Sequence, residues 1–325
     1  MIHPSLLIVK LGGALLDDAA ALAATIDSIA DLHRARPGSV AVVHGGGISV
    51  DRHLSRIGMR TEKRDGIRIT PPEQMIEIAA VLNGQVNTAI VAALLSRGAA
   101  AVGLSIADGF TTNTDATTRH AFDPGCVGEI RSGHPRLIRV LLQSHFLPVI
   151  SSVAVGTDGT LLNVNADDAA AGIAKICAAD RLVFLTDVCG VLDHNRALID
   201  TIDSSRAAEL IESGVISGGM IPKVNNALAT AADTGVAVVI AGWRDRDVLF
   251  RIASGARIAS GARIASGERI AAGERIAAGE RIAAGESVGT TILPPKHDDF
   301  TAAAHTNTRR QETPQAPDLS SSSLS

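Results

Sequence analysis

Four short clusters in this 325-residue chain combine charge, amide and glycine: Lys10-Leu11-Gly12-Gly13, His44-Gly45-Gly46-Gly47, Asn163-Val164-Asn165-Ala166-Asp167 and Gly219-Met220-Ile221-Pro222-Lys223. Two lysines supply positive charge. The glycines let an anion approach the backbone, whose free N–H groups at a helix start can hold it. Asp167 is suited to hold both ammonium groups as a shared partner. Such a set fits phosphoryl transfer, which needs in-line positioning and charge neutralisation more than proton transfer. A carboxylate acceptor is already ionised at neutral pH, so no general base is required. The obstacle is repulsion between two anions, and lysines with N–H groups relieve it. The chain holds no G-x-x-x-x-G-K-[ST] loop and none of the eukaryotic protein-kinase signatures. Taken alone, Lys10 also reads as a solvated lysine at an ordinary turn. His44 reads as a packing or hydrogen-bonding residue and receives no chemistry.

The elements that must position these clusters follow from periodicity. Leu6-Leu7-Ile8-Val9 is an apolar run of strand formers that stops at Lys10, the pattern of a buried parallel strand. Residues 19–35 read as a helix ended by Pro37-Gly38, and 39–43 as a second buried strand running into His44-Gly45-Gly46-Gly47. Two strand–glycine–helix units therefore fall within fifty residues. Residues 60–70 end as a hairpin arm, Pro71-Pro72-Glu73 starts a long helix to about residue 93, and 108–135 read as loops and hairpins. Further strands are expected at 100–104, 147–153, 181–187, 237–241 and 288–293, with helices at 137–144, 169–177, 204–213 and 224–234. This alternation predicts an α/β fold, an open and mainly parallel sheet sandwiched by helices. Ligands bind at the carboxyl ends of strands in such sheets.

The composition narrows the function. A net charge of −4 leaves no basic surplus for nucleic acid, and one Trp with no Tyr leaves no base-stacking surface. Three scattered cysteines, Cys126, Cys177 and Cys189, with no C-x-x-C, fit a reducing compartment without disulfides or zinc. No apolar run approaches the length of a membrane span, and a strand begins within five residues of the start. The expectation is a cytoplasmic protein with neither membrane nor nucleic-acid partner.

Residues 251–286 are six tandem hexapeptides, RIASGA twice, RIASGE once and RIAAGE three times. A six-residue step turns a helix by about 600°, so the isoleucines scatter over three faces. Each unit also carries a helix-weakening glycine. A hexapeptide β-helix is the other structured option. The expansion of a surface loop is preferred, because loop length costs stability only weakly. The polar, Pro-containing stretch 294–325 is expected to be a disordered tail.

Six motifs, in order and at this spacing, carry a resemblance. They are Val9-Lys10-Leu11-Gly12-Gly13, Val43-His44-Gly45-Gly46-Gly47, Gly66-Ile67-Arg68-Ile69-Thr70, Asn163-Val164-Asn165-Ala166-Asp167, Thr186-Asp187-Val188-Cys189-Gly190-Val191-Leu192 and Gly219-Met220-Ile221-Pro222-Lys223. The chain resembles the amino acid kinase family, and within it the acetylglutamate kinase branch, from about residue 6 to 293 without the repeats. The resemblance implies ATP-dependent phosphorylation of the γ-carboxylate of N-acetyl-L-glutamate, the second step of arginine synthesis, with Mg2+ carried by ATP and no protein metal site. It implies one domain over 1–293. Residues to about 180 would form an N-lobe for the acyl amino acid and dimer contact, and 181–293 a C-lobe for ATP, interrupted by the repeats. Lys10 and Lys223 would stabilise the transferring phosphoryl and Asp167 would organise them. Gly12, Gly46 and Gly47 would supply N–H groups, Gly12 on the ATP side. Arg68 and Asn163 would hold the substrate. Asp187, Val188, Cys189, Gly190, Val191 and Leu192, with Val215, Ile216 and Ser217, would line the ATP site. Arginine-inhibited members carry an extra N-terminal helix, so an arginine-insensitive homodimer is expected. Asn163 as a turn residue and Arg68 as a surface ion-pair partner compete with these roles. The rival functions are a carboxylate kinase acting on a carrier-bound aminoadipate or glutamate, and a catalytically silent regulatory protein on the same fold.

Overall fold

The computed structural model describes residues 5–254 and 288–295. Most of the repeat array and nearly all of the tail lie outside them. The centre is an eight-stranded sheet in the order β12-β14-β13-β11-β1-β2-β8-β5. Its strands are β1 (Leu7–Leu11), β2 (Val40–His44), β5 (Ala101–Ser105), β8 (Leu147–Ser151), β11 (Arg181–Thr186), β12 (Thr201–Ile202), β13 (Ala237–Gly242) and β14 (Thr290–Ile292). Six run parallel. β14 pairs antiparallel to β13, and β12 parallel to β14. Small antiparallel hairpins are formed by β3 (Glu62–Arg64) with β4 (Ile67–Ile69), β6 (Asn113–Ala116) with β7 (Gly128–Ser132), and β9 (Val153–Val155) with β10 (Leu161–Asn163).

Strand pleating divides the apolar residues between two cores, because successive side chains point to opposite faces. Ile8, Val43, Leu182 and Ile240 pack on one face with helices α3 (Gly47–Arg56), α7 (Ala166–Cys177) and α9 (Met220–Thr234). Val9, Val42, Val183 and Val239 pack on the other with α2 (Ala19–Ala35), α5 (Asn87–Leu95) and α10 (Val248–Ala253). Lys10 continues the Leu6–Ile8 face and therefore points toward α7. His44 continues the Val40–Val42 face, toward α5. The chain leaves β1 for β2 on one side and leaves β11 for β12, and then β13, on the other. The crevice between these departures is where open sheets place ligands.

Several elements differ from expectation. Helix α7 starts at Ala166, three residues early, because the Asn165 side chain accepts the Asp167 N–H at 3.0 Å. Helix α9 starts at Met220, four residues early. Pro222 is tolerated in its first turn, where N–H groups have no helical partner. The long helix from Pro72 is α4 (Pro72–Ala79), a π-helical segment (Ala80–Val86) and α5 in series. It also corrects the membrane scan: Pro72–Leu95 is long and apolar enough to cross a bilayer by length and composition. Asn83, Gln85 and Asn87 interrupt the apolar run, but the many Ala, Val, Ile and Leu residues around them keep its average high. Met75, Ile78, Leu82, Ile90 and Leu94 of this helix are buried against the sheet. The first repeat begins inside α10 rather than in a loop. Ile252 and Ala253 are buried, and the Ile252 carbonyl accepts from Arg181 at 2.7 Å.

Candidate active site

A cavity of about 400 Å³ opens at the carboxyl edge of the sheet, lined among others by Lys10, Gly45, Gly46, Gly47, Arg68 and Asn163. Lys10 lines it and forms an ion pair with Asp167, 2.7 Å long with both side chains largely shielded. Pleating aims Lys10 at α7, and the Asn165 cap puts Asp167 in the first turn, where the helix dipole favours an anion. The other Asp167 oxygen accepts from Asn226 Nδ2 at 3.2 Å. Asn226 lies one turn beyond Lys223 on α9. Lys223 itself pairs with Asp187 at 2.8 Å. The expected shared carboxylate is thus divided, with Asp167 on Lys10 and Asp187 on Lys223. Asp187 sits directly after β11 and is the carboxylate within reach of the α9 start. Its pairing with Lys223 holds its carboxyl below the usual range.

The glycine loop after β2 is shaped by its neighbours. A Cβ on Gly45 would lie 2.8 Å from Ala166 Cβ, and one on Gly46 would lie 2.9 Å from Leu82 Cδ2. The backbone there is pressed between α7 and the π-helical segment. Gly12 is the N-cap of α1 (Gly13–Asp17), and a Cβ on it would lie 3.3 Å from Lys10 Nζ. Arg68, on the β3–β4 hairpin, is almost fully enclosed. It donates to Asp51 at 2.5 Å and to the Gly47 carbonyl at 3.2 Å. Asp51 also binds Lys63 at 2.9 Å. Burial pushes the Asp51 carboxyl up, but hydrogen bonds from Arg68 and Lys63 outweigh it and leave it below the usual range. Asn163 donates to Thr70 Oγ1 at 3.3 Å at the cavity wall. Asp168 faces the same cavity, and burial raises its carboxyl despite the nearby Arg119.

Residues 187–192, 215–217 and Lys223 lie outside that cavity. Asp187 and Cys189 are exposed after β11. Val191 and Ile216 are buried core residues, so their side chains do not face a ligand. The Val191 N–H is already donated to Thr290 Oγ1 at 2.7 Å. Gly190 has φ +142°, and a Cβ on it would lie 2.6 Å from Leu198 Cδ1 and 3.0 Å from the Thr290 nitrogen. Gly190→Ala is expected to destabilise the fold by about 2 kcal/mol. A lowered midpoint in urea denaturation is the expected reading; an unchanged midpoint would mean that the loop has room.

Sequence reasoning missed Asp51, Asn165 and Asn226. Asp51 carries a usable signal, since it lies four residues after Gly47 on the same helix face. Asn226 has a comparable one at three residues from Lys223. Neither spacing reveals which strand end lies opposite.

Comparison with known proteins shows the family. The profile of the amino acid kinase family matches residues 5–242. The chain is 40% identical over 249 residues to the acetylglutamate kinase of Aeromonas salmonicida (strain A449), covering 77% of this chain and 95% of that one. It is 41% identical over 249 residues to the acetylglutamate kinase of Colwellia psychrerythraea, covering 77% and 93%. Among solved structures it shares its fold with the N-acetylglutamate synthase of Neisseria gonorrhoeae complexed with coenzyme A and N-acetyl-glutamate, at a TM-score of 0.66, 18% identity and coverage of 93% and 65%. With the family profile spanning most of the described chain and two relatives matched over nearly their whole length, this chain belongs to the amino acid kinase family.

Proposed function

We propose that the protein uses ATP to phosphorylate the γ-carboxylate of N-acetyl-L-glutamate, yielding an acyl phosphate and ADP in arginine biosynthesis. The observation that carries the reading is Lys10, paired with Asp167, in a cavity that Arg68 and the Gly45–Gly47 loop also line. Relatives at 40% and 41% identity bear the name acetylglutamate kinase, which supports the choice of substrate. Bound MgATP supplies the phosphoryl group, and the ammonium groups with N–H donors fit its negative charge. Among the described residues no group of three or more His, Cys, Asp or Glu is placed to hold a metal; in this reading Mg2+ is carried on the nucleotide. Arg68 and Asn163 hold the acceptor. Gly46 and Gly47 donate N–H groups to it. Lys10 and Lys223 offset charge on the transferring group, and Asp167 orients Lys10. Asp187 positions Lys223 beside the 187–192 and 215–217 loops, which with Gly12 receive the nucleotide. We also propose a cytoplasmic homodimer, with the acyl amino acid on the residue 1–180 side.

Hydroxylamine trapping of the acyl phosphate tests the reading. The protein would be offered MgATP with N-acetyl-L-glutamate, free glutamate or aminoadipate, with Lys223→Ala as control. Turnover confined to N-acetyl-L-glutamate and lost in the variant is expected. Turnover with none of the three would favour a carrier-bound acceptor or a silent fold.

A further inference from the structure

His44 is fully buried at the end of β2, directly before the glycine loop. Its Nδ1 lies 2.9 Å from the Gly45 carbonyl oxygen, and its Nε2 lies 3.0 Å from Asn87 Nδ2. Asn87 decides which ring nitrogen carries the proton. The same Nδ2 reaches the carbonyls of Val149 at 2.9 Å and Leu104 at 3.3 Å. Carbonyls only accept, so the amide must turn its nitrogen this way; that nitrogen shares its two hydrogens among these three neighbours and cannot accept one from Nε2. Nε2 is the lone-pair nitrogen and Nδ1 carries the hydrogen, which the Gly45 carbonyl accepts. Burial pushes the imidazole down to about 4, against the raising effect of the Gly45 hydrogen bond. The ring is therefore neutral at physiological pH and holds one tautomer.

The peptide plane converts this into an effect on the cavity. Described peptide bonds are trans, so the Gly45 C=O and the Gly46 N–H point in opposite directions. With the carbonyl drawn inward to the imidazole, the N–H faces outward, where Gly45, Gly46 and Gly47 line the cavity. Leu82 and Val86 of the π-helical segment fill the space where a Cβ on Gly46 would sit, and Leu82 also lines the cavity. That segment ends at Val86, immediately before Asn87. The π-helical segment and the residue that follows it thus deliver both the packing against Gly46 and the amide that orients His44. Gly103 on β5 leaves room for this arrangement, since a Cβ there would lie 2.1 Å from Asn87 Oδ1.

We propose that His44 is a positioning residue for the acceptor cradle: oriented by Asn87, its Nδ1–H holds the Gly45 carbonyl inward and so aims the Gly46 N–H at the acyl amino acid. This rests on the kinase reading above. His44→Asn keeps an N–H donor near the Nδ1 position, whereas His44→Gln places its amide near Nε2 and leaves the Gly45 carbonyl unheld. His44→Gln is expected to raise KM for N-acetyl-L-glutamate by about tenfold with KM for ATP within about twofold, and His44→Asn to recover most of that loss. Equal losses in both variants that follow their thermal midpoints would overturn the proposal. Should neither variant fold, nitrogen-15 NMR of histidine-labelled wild-type protein decides: a protonated Nδ1 and bare Nε2 are expected, and a protonated Nε2 overturns the assignment. Should the wild type turn over no acyl glutamate, the kinase reading fails by itself. The Gly46 amide shift, compared between the wild type and the two variants, would still report on His44, with only His44→Gln expected to move it substantially.

Discussion

Lys10→Met and Lys223→Met are each expected to lower kcat by about three orders of magnitude, with both KM values within about threefold. Methionine keeps length and apolar packing and removes only the charge. Two anions must approach during transfer, and each ammonium group offsets charge that develops there. The two substitutions should differ in their partners' response. Lys10 is paired in a shielded site with Asp167 at 2.7 Å, so Lys10→Met leaves a carboxylate facing the reacting anions. Adding Asp167→Asn should therefore cost less than the sum of the single losses. Lys223 pairs with the exposed Asp187, where solvent absorbs the orphaned charge, and Lys223→Met with Asp187→Asn should come closer to additive. Rates of ADP release at saturating substrates give the values. A loss below about tenfold at either lysine would remove that lysine from the transfer centre.

Arg68→Lys is expected to raise KM for N-acetyl-L-glutamate by about a hundredfold, with KM for ATP unmoved. Only guanidinium presents a planar fork that can keep Asp51 on one side and meet a carboxylate on the other. The Arg68–Asp51 contact, with Arg68 also on the Gly47 carbonyl, fixes the side chain before substrate arrives. Lysine would keep the charge and lose the second contact. The pH dependence follows from Asp51, whose folded-state carboxyl lies below its usual value. A lowered acid contributes its pairing above the ordinary carboxylate range, and the pairing is lost only as pH falls through the folded-state value. KM for the acceptor should therefore be flat from about pH 6 to 8. A rise in KM for ATP of the same size, or a KM unchanged in Arg68→Lys, would place Arg68 outside the acceptor site.

Much of the fold was legible because local rules and tertiary context agree in it. Residues 19–35 read as a helix from periodicity and the Pro37-Gly38 stop, and α2 has those bounds. Leu6 to Lys10 and Ser39 to Val43 read as buried parallel strands because they are apolar on both faces, and both faces carry a core. The start of α9 was harder, since Pro222 looks like a barrier unless the first-turn exemption applies. The π-helical segment left no signal, because its neighbours are tertiary: Leu82 and Val86 lie against Gly46, and Asn87 after it reaches His44 of β2, Leu104 of β5 and Val149 of β8.

The amino-acid sequence by itself determined the alternation of strands and helices, the two glycine loops at strand ends and the presence of two lysines with nearby carboxylates. These are properties of short segments, where steric and periodic rules act over a few residues. Only the tertiary structure decided which carboxylate meets which lysine, that Asp51 holds Arg68, and that Asn87 selects the tautomer of His44. Each of those contacts joins residues 17 to 157 positions apart. Such pairings depend on which strands lie side by side and on which pleat face a residue occupies. A side chain's type and spacing state what it can bind, but the strand order states what is there to be bound.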